Sequence, residues 1–368
     1  MKTVVYLCCI ICLLCSCGRR RDSPKPMTAN ELERKFGSGV VLIQNTFYYT
    51  LTFDTGDCLY FTGMKDGQIQ GATLNENGVK PAIGYGTGFF VSNTGIIATN
   101  HHVVSSTELS ADEVHTAFVN AFSSLCAQQQ QLVNALNEQL GELRYAINSN
   151  QYSNTEELII RYQNMTQQRD SLQNQVEQIN RLMYASYQVT QHSELGIAEN
   201  NTFITNTSDF TECVQIADDA AHDLALLQLK NKQTPKNCHV FSVKENTALL
   251  QNRRRLARRS GKNVSNTNPM AVGTALFMIG FNLGPTLALT STGIKAQVTS
   301  GTISQNADAI KLMYSVPALP GSSGSPVLDN YGQLVAINFA GVSGTQNFNY
   351  GIKASYLRQL FQQYVNQR

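Results

Sequence analysis

Short β-rich runs broken by glycine and asparagine make up most of this chain, and one long interval follows a different rhythm. The first runs are Val40 to Ile43, Phe47 to Phe53, Cys58 to Thr62, Gly88 to Val91 and Ile96 to Thr99. The same texture resumes from Thr202 to Val243. It returns from Val272 to Gly341, where Ala275 to Ile279, Ala296 to Ile303, Ile310 to Val316, Ser325 to Leu328 and Leu334 to Phe339 are the clearest segments. Alternation and turn-forming breaks of this kind predict antiparallel strands. Two small β-barrels are the economical arrangement, because a closed barrel leaves no strand edge open to pairing with another chain. At the end, Ser355 to Gln367 places Leu357, Leu360, Phe361 and Tyr364 on one face of a helix.

The intervening stretch has apolar positions three and four residues apart. Phe118, Phe122, Leu125, Leu132, Leu136, Leu140, Leu143 and Ile147 form one series, interrupted at Gln129. Leu158, Tyr162, Met165, Leu172, Val176, Ile179 and Met183 form another, interrupted at Arg169. This is the seam of a coiled coil. Only Asn148 to Asn154 separates the two series, so the helices are expected to pack antiparallel, with Thr155 capping the second. Roughly 35 residues at 1.5 Å each make a rod about 50 Å long. Three uses stay open for such an arm: a structural support, a surface for a partner or a second copy, and a cover over a cleft.

The 368 residues, 42% of them hydrophobic and 15% charged, describe a globular chain longer than one average domain. A net charge of +2 does not imply a nucleic-acid partner. The cluster Arg253, Arg254, Arg255, Arg258, Arg259 and Lys262 reads as a solvated linker or as a patch for an anionic surface. Near the start, Lys2 precedes an apolar run from Val4 to Leu14, too short to span a bilayer and shaped like the core of an export signal. The following Leu14-Cys15-Ser16-Cys17 resembles a bacterial lipobox, which implies lipidation at Cys17 and attachment to the cell envelope, the periplasmic side being expected. A plain secretory signal is the alternative. Five of nine cysteines fall in this leader. Of the other four, Cys58, Cys126, Cys213 and Cys238, the last two either pair or remain buried thiols. No spacing suggests a metal site or a cofactor.

Three separated motifs carry the chemistry. Thr99-Asn100-His101-His102-Val103-Val104 offers an imidazole, Asp223-Leu224-Ala225-Leu226-Leu227 a carboxylate, and Gly321-Ser322-Ser323-Gly324-Ser325-Pro326 a hydroxyl in a glycine-bracketed turn. A serine hydroxyl is a poor nucleophile near neutral pH. It needs a base to take its proton and a carboxylate to orient that base.

These motifs resemble those of the trypsin-like serine peptidases, and among them the bacterial HtrA/Deg-related branch. The approach to the histidine, Gly86-Thr87-Gly88-Phe89-Phe90-Val91 and Gly95-Ile96-Ile97-Ala98-Thr99-Asn100, is part of the likeness. The resemblance implies a mainly β fold of two six-stranded antiparallel β-barrels, here with an inserted antiparallel coiled-coil hairpin and a C-terminal helix. It implies His102, Asp223 and Ser323 as the catalytic triad, with His101 a neighbour and Asp218 and Asp219 a solvated turn. The N–H groups of Gly321 and Ser323 would form the oxyanion hole. Pro317, Phe339, Ala340 and Gly341 would line the primary specificity pocket, which has no carboxylate for a basic side chain and suits a small or medium apolar one. Ser322 stands where the chymotrypsin pattern has an aspartate, so no zymogen switch is expected. The chain stops after the C-terminal helix, leaving no room for the PDZ module of HtrA proteins.

The expected organisation is a lipoprotein-type signal at 1–17, a first barrel from 32–105 and 196–248, the hairpin at 110–190, a basic linker at 249–268, and a second barrel with its helix at 269–368. An exported, lipid-anchored serine endopeptidase acting on polypeptides is the leading functional reading. A pseudoprotease that binds partners through its arm and a hydrolase of another acyl substrate are the rivals.

Overall fold

The computed structural model describes residues 25–105, 109–149, 155–244, 270–305, 308–341 and 348–367. The signal segment with Cys17 and the arginine-rich linker lie outside them. A first set of strands comprises β1 (Val40–Phe53), β2 (Cys58–Phe61), β3 (Gly63–Lys65), β4 (Gln68–Gln70), β5 (Ala82–Phe90), β6 (Ile96–Thr99), β7 (Tyr187–Glu199), β8 (Thr211–Asp219) and β9 (Leu224–Leu229). Apart from the separate β3–β4 hairpin, these pair in the order β2-β1-β5-β6-β9-β8-β7. A further β1–β7 pairing closes six of them into a barrel and leaves β2 as a flap on β1.

A second set comprises β10 (Ala275–Gly280), β11 (Leu289–Thr290), β12 (Gly293–Ile294), β13 (Gln297–Gln305), β14 (Lys311–Tyr314), β15 (Pro326–Asp329), β16 (Leu334–Gly341) and β17 (Asn349–Lys353). Six of these close in the order β10-β13-β14-β17-β16-β15, while β11 and β12 pair with each other. The expected double six-stranded antiparallel barrel is therefore the architecture. Helices α1 (Ala29–Phe36), α2 (His101–Val104), α3 (Ala111–Asn148), α4 (Thr155–Tyr184), α5 (Pro285–Ala288) and α6 (Ala354–Asn366) complete the described elements.

The chain divides into two compact units. One runs up to Leu42 and includes Gly86–Asn100 and everything from Ile197 on; the other consists of Ile43–Tyr85 and His101–Gly196. In the first unit, α1 turns Leu32 and Phe36 inward, and α6 buries Leu357, Leu360 and Tyr364, the face the sequence marks as apolar. All six residues of β9 are buried, and Gln228, the one polar residue among them, donates its side-chain N–H to Thr94 O at 2.9 Å.

In the second unit the long helices form the predicted antiparallel hairpin. Ser123 meets Met183, Gln129 meets Gln175 at 3.2 Å, and Arg169 donates to Asn137 at 3.1 Å. One residue number rises as its partner's falls, which is what antiparallel packing requires. Both polar interruptions of the seam thus donate across it, although Gln129 Oε1 is buried without a partner, and such pairing discriminates against shifted registers. The seam itself departs from expectation. Leu125 and Leu132 are 39% and 55% exposed and Cys126 and Val133 are buried in their place, while Leu140 is buried as expected. At its base the hairpin packs Val114 and Phe118 against Tyr49, Leu51, Phe53, Leu59 and Phe61.

Two strands differ from the pattern. The expected break between Ile43 and Phe47 is absent: Gln44 and Asn45 are buried within a continuous β1. Strand β7 was not predicted, because its first half alternates half-buried and exposed positions with polar residues such as Gln188, Thr190 and His192 on the surface. Among the described residues no helix is long and apolar enough to cross a membrane.

Candidate active site

The serine motif folds as a tight turn between the end of β14 and the start of β15. Gly321 has φ +92°, and a Cβ there would lie 2.6 Å from the Phe281 carbonyl oxygen and 2.7 Å from the Gly284 nitrogen. Gly324 has φ +87°, with a Cβ position 2.0 Å from the carbonyl oxygen of Thr87. Both positions therefore demand glycine. Between them, Ser323 is half-buried, and its hydroxyl donates weakly to the Phe339 carbonyl at 3.5 Å. Among the described residues, the backbone N–H groups of Gly321 and Ser323 donate to no protein acceptor, whereas those of Ser322, Gly324 and Ser325 are all taken. Two open donors beside a hydroxyl are the elements of an oxyanion site.

Several residues hold this turn. Thr87, fully buried, donates its N–H to Ser323 O at 2.8 Å and its hydroxyl to Gly321 O at 2.8 Å, and it accepts the N–H of Phe281 at 3.0 Å. From inside the second barrel, Tyr314 donates to Asn338 Oδ1 at 2.8 Å. Asn338 in turn donates to the carbonyl and the hydroxyl oxygen of Ser322 at 3.0 and 3.2 Å. The Ser322 hydroxyl donates to Leu319 O at 2.6 Å, so this side chain pins the turn where the chymotrypsin pattern has a carboxylate. Burial pushes the Tyr314 phenol well above its ordinary range, which keeps it a donor at any physiological pH.

Asp223 directly precedes β9 in a left-handed conformation, φ 52° and ψ 47°. Aspartate tolerates that region better than most residues, at a cost. The side chain of Asn100 donates to its carbonyl at 2.8 Å. Thr99 Oγ1 donates to Thr87 O at 2.8 Å, and Thr99 lies opposite Ala225 in the β6–β9 ladder. Ser323, Thr87, Thr99, Asn100 and Asp223 are thereby linked by hydrogen bonds and neighbouring backbone within one unit.

His102 follows Asn100 by two residues. It is exposed, in the short helix α2 with which the second unit resumes after Tyr85; His101 is half-buried beside it. The two last carbonyls of α2 are satisfied by one side chain: Asn45 Nδ2 donates to Val103 O at 3.2 Å and to Val104 O at 3.0 Å. Asn45 escapes a motif search, and its only trace in the sequence is a polar pair inside an apolar strand. Asn338 and Thr87 escape it too, since each acts on residues far away in sequence.

Asp219 is not the solvated residue expected. Its carboxylate accepts the N–H of His222 at 3.2 Å and meets His222 Nδ1 at 2.7 Å, capping the turn that delivers Asp223, while the His222 ring stacks on Tyr356 at 4.2 Å. Of the expected pocket residues, Pro317 is exposed and its carbonyl accepts from Thr299 at 3.0 Å. The ring of Phe339 lies 6.4 Å from that of Tyr350 and 5.2 Å from the Lys311 ammonium. Ala340 and Gly341 end β16 opposite Tyr350 and Asn349. Cys58, Cys126, Cys213 and Cys238 are free thiols. Burial pushes the Cys213 and Cys238 thiols up to about 12, with Glu199 adding to the effect on Cys238.

Comparison with known proteins agrees with the fold. Residues 86–337 match the model of the trypsin-like peptidase domain. No curated protein matches the chain in sequence. Among solved structures, the serine endoprotease from Yersinia pestis aligns with 12% identity and TM-score 0.44, covering 93% of this chain and 68% of that one. The HtrA-type protease AlgW with decapeptide aligns with 12% identity and TM-score 0.45 over 92% and 68%. The same protease with tripeptide gives 12% and 0.43 over 92% and 64%, so the chain spans about two thirds of the length of these structures. With a match that takes in more than half of its 368 residues and every residue of the three motifs, the chain belongs to the family of trypsin-like peptidase domains.

Proposed function

We propose that the protein is a serine endopeptidase, exported and held to the cell envelope through a lipid on Cys17, in which His102, Asp223 and Ser323 form the catalytic triad. The observation that carries this reading is the Gly321–Ser323 turn. It presents a half-buried hydroxyl between two backbone N–H groups that have no protein acceptor among the described residues.

In the proposed reaction, His102 takes the proton of Ser323 as its oxygen adds to the scissile carbonyl carbon. The resulting oxyanion accepts from the N–H groups of Gly321 and Ser323, donors typically worth about 3–4 kcal/mol each in the transition state. Asp223 fixes the tautomer of His102 and stabilises its cation. His102 then protonates the departing amine, leaving an acyl group on Ser323. Water, deprotonated by the same imidazole, releases the acid and restores the hydroxyl. A small or medium apolar residue is the proposed preference before the scissile bond, with Phe339 in the wall and the Lys311 ammonium beside it opposing a basic side chain.

Labelling of the full chain by a fluorophosphonate, with casein and a simple ester as substrates, tests the proposal. The expected result is one label lost in Ser323→Ala, and casein turnover abolished in that variant while its melting curve is unchanged. A folded protein that neither labels nor cleaves casein would overturn it, and cleavage of the ester alone would transfer it to another acyl substrate.

A further inference from the structure

A cavity of about 450 Å³ in the first unit lies between α1, the residues leading out of Phe241, the β15–β16 turn and the start of α6. It is remote from the catalytic turn. Strand β15 leads from Pro326, three residues after Ser323, to Asp329, and Tyr331 and Gly332 of the turn beyond it line the cavity. Four residues at about 3.3 Å each put the two ends of that strand roughly 10 Å apart.

Its lining is unbalanced in charge. Lys35, Lys244, Lys353 and Arg358 contribute four cations, and among the described residues no aspartate or glutamate lines it. Among the described residues, none of the four lies within ion-pair distance of a carboxylate. Lys353 donates to the backbone carbonyl of Asp308, and Lys35 sits 5.1 Å from the centroid of the Phe36 ring. The Asp308 carboxylate is itself occupied by the N–H groups of Lys311 and Ile310, which together with the Lys353 charge help to hold it below its ordinary range. His239, also in the wall, is held below the ordinary imidazole range by burial and by the Lys35 charge, so the site adds no acid of its own. Four like charges around one concavity, in a chain whose net charge is only +2, repel one another unless an anion enters. Ala354 and Ser355, the first residues of the 13-residue α6, line the cavity as well, and Lys353 at the N-cap makes no side-chain cap. The rest of the wall mixes apolar residues, Phe36, Val240 and Phe241 among them, with the polar Ser242, Tyr331 and Gln333.

We propose that this cavity binds a phosphate head group that carries an apolar tail. The four cations and the first N–H groups of α6 meet the phosphate, and the aromatic wall takes the start of the tail. A phospholipid of the envelope and a soluble phosphate ester share this chemistry.

Calorimetric titration of the full chain with octyl phosphate, with inorganic phosphate, and with phosphatidylcholine vesicles containing phosphatidic acid tests the site at constant ionic strength. Octyl phosphate is expected to bind saturably and more tightly than inorganic phosphate. The double variant Lys35→Gln with Arg358→Gln should weaken it about tenfold or more. Should that variant melt at a lower temperature than the parent, Lys244→Gln, at an exposed position, is read in its place. Vesicle binding lost in the same variants assigns the head group to a membrane lipid, and binding of octyl phosphate without vesicle binding assigns it to a soluble ester. No saturable binding of octyl phosphate, or equal affinity in parent and variants, overturns the proposal. The readout is binding, so it stands apart from the fate of the peptidase reading.

Discussion

The side-chain amide of Asn45 donates to the backbone carbonyl of Val104 at 3.0 Å, and the same nitrogen reaches Val103. A four-residue helix cannot satisfy its own last carbonyls, and α2 ends in the interior, where Val103 and Val104 are buried. One asparagine in β1 therefore fixes the helix that carries His102. Replacing it with leucine leaves two buried acceptors without a donor, at a cost of about 1–3 kcal/mol. If His102 is the general base, Asn45→Leu should lower kcat at least tenfold with little change in KM. Steady-state kinetics at several pH values would check this, and unchanged kcat would detach the helix from catalysis.

Thr87 plays the corresponding part for Ser323. Its hydroxyl bridges Phe281 and Gly321, and its N–H holds Ser323. Thr87→Val keeps the shape and removes both hydroxyl bonds, so the expected loss is about 1–3 kcal/mol of stability. A fall in the rate of fluorophosphonate labelling should accompany it, since the Gly321 N–H belongs to a peptide next to the one released. Thr87→Ser retains the hydroxyl and should restore most of both. Equal behaviour of the valine and serine variants would mean that the hydroxyl does not matter.

The difference between these residues and the three motifs explains what the sequence makes legible. A glycine-bracketed serine, an aspartate opening an apolar strand and a histidine in the short helix just beyond another are local patterns, because the local backbone sets their positions. Gly321 and Gly324 are recognisable for the same reason: their positive φ values are a property of the turn itself. Asn45, Thr87 and Asn338 act across separations of 16 to 234 residues, and nothing adjacent to them in sequence announces it. The hairpin shows the same limit. Periodicity revealed two helices and their direction, but the choice between Leu125 and Cys126 as the buried position is made by the partner helix. Asp219 reads as solvated in the sequence because its partner, His222, lies in the turn it caps rather than in a repeating element.

His239 gives the fold a pH dependence whose sign follows from its surroundings. The ring packs edge-on against Phe36 at 4.8 Å and Phe241 at 5.1 Å, and burial together with Lys35 disfavours its protonation. The unfolded chain takes up the proton near the ordinary value of 6.5, and the folded chain does so only at lower pH. Stability from this group is therefore complete above that value and falls as pH drops below it, until the folded-state pKa is passed. Urea denaturation midpoints between pH 8 and pH 5 should decline in the parent and decline less in His239→Gln. Parallel curves would place the titration elsewhere.

The hairpin looks like a removable insertion, since its ends are close: Tyr187 donates its hydroxyl to Asp112 Oδ1 at 3.1 Å. Short separation alone would predict that a chain lacking Ala111 to Tyr184 still folds. The packing argues otherwise. Val114 and Phe118 at the base cover Tyr49, Leu51, Phe53 and Phe61, all of them buried. Uncovering each large side chain forfeits up to about 1.5–3 kcal/mol, and the four together would rival the whole stability of an ordinary domain. The distal part is different: among the described residues its inter-element hydrogen bonds, such as Arg169 to Asn137, join one helix to the other. Joining Gln129 to Gln175, already 3.2 Å apart through their side chains, by a short Gly-Asn loop should give a folded protein. Circular dichroism melts and fluorophosphonate labelling of both variants decide the matter. The expected outcome is a cooperative transition and retained labelling for the trimmed arm, and loss of both for the complete deletion. A complete deletion that melts like the parent would show that the strands around Phe53 and Phe61 need no cover from the helices.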